Sequence, residues 1–252
     1  YDFIKDREGV YPIVRSMSEI AGNTSILIAA EYLSNANNGH GIMMGGVPGV
    51  KPTEVVILGA GGVGEFAARS AIGLGASVKV FDKSLSKLRR MQDKISERVD
   101  MNTINPKALE KSIRRADVVI GAIRSRDSRT PCLISEDMVK LMKPGSVIVD
   151  VSIDRGGCVE TSEITSHKTP TFIKHGVIHY CVPNIPSRMA RTASFSLSNI
   201  FSTLLLKMGN FGGVKNTIIQ NDNISQGVYV INGNLTNKVI GDWYNLPYKT
   251  LK

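Results

Sequence analysis

Glu54-Val55-Val56-Ile57-Leu58-Gly59-Ala60-Gly61-Gly62-Val63-Gly64 (EVVILGAGGVG) joins a β-branched apolar run to a glycine-rich turn. From Glu65 to Leu74 the apolar residues recur at helical spacing. The segment therefore reads strand, tight turn, helix. Its six residues from Gly59 spell G-x-G-x-x-G. Gly59 permits the turn, Gly61 lets the backbone come close to a pyrophosphate, and Gly64 lets the helix pack on the strand. Gly62 and Val63 stand at the helix start, where unpaired N–H groups and the positive dipole end favour an anion. A second strand, Ser77 to Phe81, leads into Asp82, 23 residues after Gly59. A carboxylate there accepts hydrogen bonds from the adenosine ribose and repels a 2′-phosphate, which favours NAD over NADP. Lys83 and Lys87 lie close enough in sequence to soften that repulsion.

Outward from this unit, strands and helices alternate. Ser86 to Ile95 reads as a basic amphipathic helix and Arg98 to Met101 as a third strand. Asn105-Pro106 supplies an N-cap and a first-turn proline for a helix over Lys107 to Ala116. Val118 to Ile123 is a fourth strand, Ser135 caps a helix that ends at Lys143-Pro144-Gly145, Ser146 to Ile153 is a fifth strand and Val177 to Val182 a sixth. Apolar runs without strict alternation belong to strands covered on both faces. The fold class expected is α/β, a Rossmann-type doubly wound parallel sheet. On the N-terminal side, Ser16 to Glu19 has the pattern of a capping box opening a helix to about Leu33. On the C-terminal side a helix is expected over about Thr192 to Met208. Tyr229-Val230-Ile231 and Leu235-Thr236 flank Asn232-Gly233-Asn234 as a small hairpin.

Composition narrows the classes. The formal charge is +9, from 31 Lys+Arg against 22 Asp+Glu. These basic residues are scattered and form no stripe with aromatics, so nucleic acid is not the expected partner. The three cysteines, Cys132, Cys158 and Cys181, lack CxxC spacing; free, buried thiols in a reducing compartment are expected. The four histidines form no HxxxH or HExxH pattern, so no metal site is expected. The apolar stretch Phe195 to Met208 is too short and too polar to span a bilayer. With no signal peptide in view, a cytoplasmic location and no membrane partner are the expectation. The opening Tyr1 to Val10 reads as the middle of a longer protein.

In open α/β sheets ligands sit at the carboxyl ends of the strands. Two polar residues stand in the loops there. Asp154 follows an apolar strand and precedes Gly156-Gly157; it either positions a substrate amine or a reactive water, or simply opens a tight turn. Asn184 either faces the nicotinamide side or is a turn residue between Pro183 and Pro186.

The segments Ser16-Met17-Ser18-Glu19-Ile20-Ala21-Gly22, Gly45-Gly46-Val47-Pro48-Gly49-Val50, Lys143 to Asp150, Ile153-Asp154-Arg155-Gly156-Gly157-Cys158 and His179 to Pro186 together resemble the alanine dehydrogenase family. The related transhydrogenase subunit is similar in fold, but its later motifs fit less well. The resemblance implies an NAD-dependent enzyme that interconverts L-alanine with pyruvate and ammonium, assembled as a homo-hexamer. It implies that Asp154 is catalytic and that Ser18, Asp82, Lys87, Ile123, Val182, Asn184 and Ile185 join the glycine loop in contacting the cofactor. Arg155 and Pro183 replace the family's Gln and Ala, and Arg124 to Arg129 replaces a less charged loop. The resemblance also implies a division into residues 1–15, a remnant of a substrate domain; 16–190, the NAD-binding domain; and 191–252, a tail belonging to the substrate domain. The family's catalytic His and its substrate-binding Lys and Arg precede this stretch, so the isolated chain is expected to be inactive. Two other readings remain open at this point, an NAD(H)-binding transhydrogenase subunit and a non-catalytic NAD-binding protein.

Overall fold

The structure is a computed structural model that describes residues 1–95, 99–124 and 130–251. Two compact units result, one comprising Tyr1–Met17 with Ala190–Lys252 and the other Ser18–Met189.

The larger unit is built on a seven-stranded sheet of order β3-β2-β1-β4-β5-β7-β6. Its strands are β1 (Glu54–Leu58), β2 (Ser77–Asp82), β3 (Asp100–Thr103), β4 (Val118–Gly121), β5 (Val147–Asp150), β6 (Thr171–Lys174) and β7 (Val177–Tyr180). All pairings are parallel except β6 with β7. Because side chains alternate across a strand, the apolar runs serve two cores. Val55 and Ile57 face a core shared with Ala67, Ala68 and Ala71 of α2 (Gly62–Gly73) and with Ile28 and Leu33. Val56 and Leu58 face the other, with Leu109 and Ile113 of α4 (Pro106–Arg115) and Val139 of α5 (Glu136–Lys140). Helices on both faces make the sheet doubly wound. Asn105 and Ser135 cap α4 and α5 through their side-chain oxygens, and Ser84 caps α3 (Leu85–Lys94).

Several elements depart from expectation. The first helix, α1 (Pro12–Tyr32), begins before Ser16, so Ser16 to Glu19 is helix interior and not a cap. Pro12 occupies the first helical position, where a missing N–H costs nothing, and the Ser16 hydroxyl bonds Ser196 instead. The fifth strand stops at Asp150 because the Asp150 carboxylate takes the Ser152 N–H and bends the chain out of the ladder. The fourth and seventh strands end at Gly121 and Tyr180, short of Ile123 and Val182. The third strand is shifted to Asp100–Thr103, in register with Lys79 to Asp82; Arg98 lies outside the described residues. The antiparallel β6 went unexpected, and so did the exposure of Cys132. Cys132 lies in a surface loop where Sγ meets the Ile134 carbonyl, whereas Cys158 and Cys181 are buried as expected.

The smaller unit contains α6 (Ala190–Asn210), α7 (Val214–Gln220), α8 (Asp222–Ser225), the hairpin β8 (Val230–Ile231) and β9 (Asn234–Leu235), and α9 (Lys238–Tyr244). Asn232 and Gly233 turn the hairpin at φ 49° and 77°, the left-handed pair a type I′ turn requires. No helix among the described residues is long and apolar enough to cross a membrane.

Candidate functional site

The carboxyl ends of β1, β4, β5 and β7 all open on one edge of the sheet, since these strands run parallel. Chain order reverses between β1 and β4, which is where such sheets form a crevice. At the end of β1 the chain turns at Gly59 with φ 110°. A Cβ on Gly59 would lie 2.5 Å from the Ala122 carbonyl, so the loops after β1 and β4 close on each other there and bring Ile123, half-buried, beside the turn. A Cβ on Gly64 would meet the Gly59 carbonyl at 1.8 Å, so α2 can sit this close only with glycine. Gly61 differs from both. Its φ of −86° suits any residue, and a Cβ there would touch nothing within 4 Å. Beyond its place as the N-cap of α2, where glycine is well accepted, Gly61 has no steric reason within the chain to be bare. An anion held against the first amides of α2 does give one, and the loop fits a dinucleotide diphosphate.

Asp82 ends β2 and is nearly fully buried. Oδ2 accepts the Ala60 N–H at 2.8 Å and stands 4.0 Å from Lys87 Nζ, while Oδ1 accepts the Ser84 N–H at 2.8 Å. The carboxylate therefore also shapes the glycine loop, a role that spacing alone does not reveal. Ser18, on α1, flanks the start of α2: a Cβ on Gly62 would lie 3.1 Å from the Ser18 Cβ.

The second cluster follows β5 and β7. Asp154 lies in a 3-10 turn, Ile153–Arg155, with its side chain on the surface. Its Oδ1 accepts the Asn184 N–H at 3.1 Å. Asn184 holds φ 53°, a left-handed conformation that Asn tolerates. Desolvation raises the Asp154 pKa above the ordinary carboxylate value, against the Asn184 bond and the Arg155 charge. Val182 and Ile185 are buried in the core, so what they offer a ligand is backbone. Of the basic loop, Ser125 to Arg129 lies outside the described residues.

Asp150 is a functional candidate that the sequence reading passed over. It is fully buried at the end of β5, below the turn that carries Asp154. Asp150 closes the Lys143 to Asp150 segment that shares in the family resemblance, but nothing in that segment tells a buried acceptor of loop amides from an ordinary strand-end aspartate.

The doubly wound sheet, the G-x-G-x-x-G turn at its crevice and the acidic end of β2 define a Rossmann-type dinucleotide-binding domain. A family model described as Alanine dehydrogenase/PNT, C-terminal domain matches residues 25–238. The chain is 41% identical to the alanine dehydrogenase of Methanococcus maripaludis over 249 residues, 98% of this chain and 66% of that protein. It is similar to a solved L-alanine dehydrogenase with a TM-score of 0.91 and 37% identity, covering 97% of this chain and 67% of the other. A transhydrogenase structure from Sinorhizobium meliloti follows at TM-score 0.66 and 26% identity, covering 82% and 57%. The chain belongs to the alanine dehydrogenase/PNT family. It carries that family's C-terminal, NAD-binding domain, and it spans about two thirds of the length of the alanine dehydrogenases it matches.

Proposed function

We propose that this chain is the NAD-binding portion of an L-alanine dehydrogenase, which interconverts L-alanine with pyruvate and ammonium. The observation that carries the proposal is the pairing at one sheet edge of a glycine loop open at Gly61 with a surface carboxylate, Asp154, after β5. A bound NAD would supply the acceptor, or in the reverse direction the donor, for the hydride of the substrate Cα–H bond. The chain's own residues do the rest. The α2 amides and Asp82 hold the diphosphate and ribose. Asp154, fixed by the Asn184 N–H, positions the substrate amine or the attacking water. Ser18, Lys87 and Ile123, with the Val182, Asn184 and Ile185 backbone, line the cofactor's path.

The match to alanine dehydrogenases, at higher identity and TM-score than the transhydrogenase, supports this reading over transfer between two nucleotides. We infer further that copies of the protein assemble, as a hexamer by resemblance, in the cytoplasm. The exposed Phe195, Leu205 and Leu206 on α6 support the assembly. Sedimentation velocity checks it, and a purely monomeric boundary for the full-length protein overturns it.

Calorimetric titration of the unmutated chain with NADH and NADPH tests the cofactor site, with Asp82→Ala alongside. NADH binds at least about tenfold more tightly to the unmutated chain, a difference of about 1.4 kcal/mol. Asp82→Ala abolishes that preference. Equal affinity for the two cofactors in the unmutated chain rules out the role given to Asp82.

A further inference from the structure

Asp150 accepts hydrogen bonds from both sides of the Asp154 turn. Oδ1 takes the Ser152 N–H at 3.0 Å and faces the Cys158 thiol at 3.7 Å. Oδ2 takes the Cys158 N–H at 2.9 Å and the Ser162 hydroxyl at 2.8 Å. Ser152 and Cys158 bracket residues 153–157, so one carboxylate ties the two ends of the loop that carries Asp154. Two glycines make room for it. A Cβ on Gly121 would lie 2.7 Å from Oδ1, and a Cβ on Gly157 2.8 Å from Oδ2. The outer side of the loop is held as well, by the Thr130 N–H on the Arg155 carbonyl and the Leu133 N–H on the Cys158 carbonyl.

These donors to Asp150 are all neutral. A buried carboxylate held by neutral donors alone is costly to desolvate, and burial does raise the Asp150 pKa against the pull of Ser162, Cys158 and Ser152. An apolar residue would end β5 at lower cost, but it would leave the Ser152 and Cys158 amides without an acceptor. The carboxylate's contribution is therefore geometric.

We infer that Asp150 is the positioning residue for Asp154: its buried carboxylate fastens both ends of the loop and so sets where Asp154 stands at the carboxyl edge of the sheet. The functional meaning of that placement rests on the reading of Asp154 proposed above. The coupling between the two residues does not, and it can be measured separately.

Asp150→Asn keeps the volume but not the bonding. Each carboxylate oxygen accepts a backbone N–H, so in either orientation the amide NH2 faces a donor. The experiment follows the Asp154 carboxyl by carbon NMR in the 252-residue chain labelled at aspartate Cγ, with the signal assigned through Asp154→Asn. In the unmutated chain Asp154 titrates above the ordinary carboxylate value. In D150N its titration returns toward that value as the loop takes up water, and amide exchange at Ser152 and Cys158 speeds by about tenfold or more. Ser162→Ala removes one bond, keeps the carboxylate, and shifts Asp154 in the same direction by less. A merely structural role lowers the melting temperature and leaves the Asp154 titration where it was. That result in folded D150N overturns the inference; should D150N not fold, the same result in S162A does so. Failure of the unmutated chain to bind NADH, by contrast, overturns the functional reading and leaves the Asp150–Asp154 coupling as measured.

Discussion

Glycine at 61 and glycine at 64 are absent side chains for opposite reasons, and substitution separates them. Gly64→Ala drives a methyl into the Gly59 carbonyl. It forces α2 off β1 and lowers both melting temperature and NADH affinity, with a stability loss of about 1–3 kcal/mol as for other overpacked sites. Gly61→Ala meets open space. Its stability loss is confined to a poorer N-cap, about 1 kcal/mol or less, while NADH affinity falls by about tenfold or more as the methyl displaces the diphosphate. Paired melting curves and calorimetry check both. If Gly61→Ala leaves affinity intact, the diphosphate does not lie where the loop places it. At this scale the sequence was legible wherever a residue type has a single backbone use. Gly59, Gly64 and the acidic Asp82 could be named from spacing. Asp150, and the second duty of Asp82 toward Ala60, could not, because both depend on which loop amides the tertiary fold brings to a carboxylate.

Among the elements, the strands of the sheet centre were legible because β-branched runs buried on both faces have few alternatives. The edge strand β6 was not. Thr171 to Lys174 is short and only partly buried, and its turn into β7 is made by His175-Gly176 at φ 53° and 75°. This is the same left-handed pair that Asn232-Gly233 supplies in the smaller unit. Asn-Gly announces a type I′ turn and His-Gly does not. His175 is steadied there by Glu136, whose Oε1 lies 2.6 Å from its Nε2. Within the β6–β7 pair His179 is buried, stacked on Phe172 at 4.8 Å. Its Nδ1–H donates to the Val177 carbonyl, so Nε2 is bare and accepts the Thr161 hydroxyl. Burial lowers its pKa below the ordinary 6.5. Between pH 6.5 and that lowered value the unfolded chain binds a proton that the folded chain refuses, so stability falls as pH falls through this window and is unaffected above it. Urea midpoints from pH 7.5 downward, compared with those of His179→Gln, isolate the effect. Parallel pH profiles for the two proteins are inconsistent with a neutral buried His179.

For the whole molecule, the fold class followed from the alternation of strand and helix patterns. The smaller unit was legible only in α6 and the β8–β9 hairpin. The helices α7, α8 and α9 have seven, four and seven residues, too few turns to display a periodicity. The distribution of thiols gives a test at this scale. Burial pushes the Cys181 thiol up to about 12 and Cys158 well above its usual value, and Cys132, though at the surface, is also raised by desolvation and by Glu160 and Asp150. An aromatic disulfide reagent at pH 8 therefore labels one thiol per folded chain, slowly, and three in denaturant. Rapid labelling of more than one thiol in the folded protein overturns this arrangement of the cores.

The turn at His175-Gly176 also bears on how the sheet is assembled in time. The parallel pairings each wait for a crossover to close, whereas β6 and β7 need only a two-residue bend and can zip within roughly microseconds. Closing so short a loop costs little entropy, so the outermost pairing of the sheet, Thr171 with Tyr180 to Lys174 with Val177, is held by residues that are neighbours in sequence.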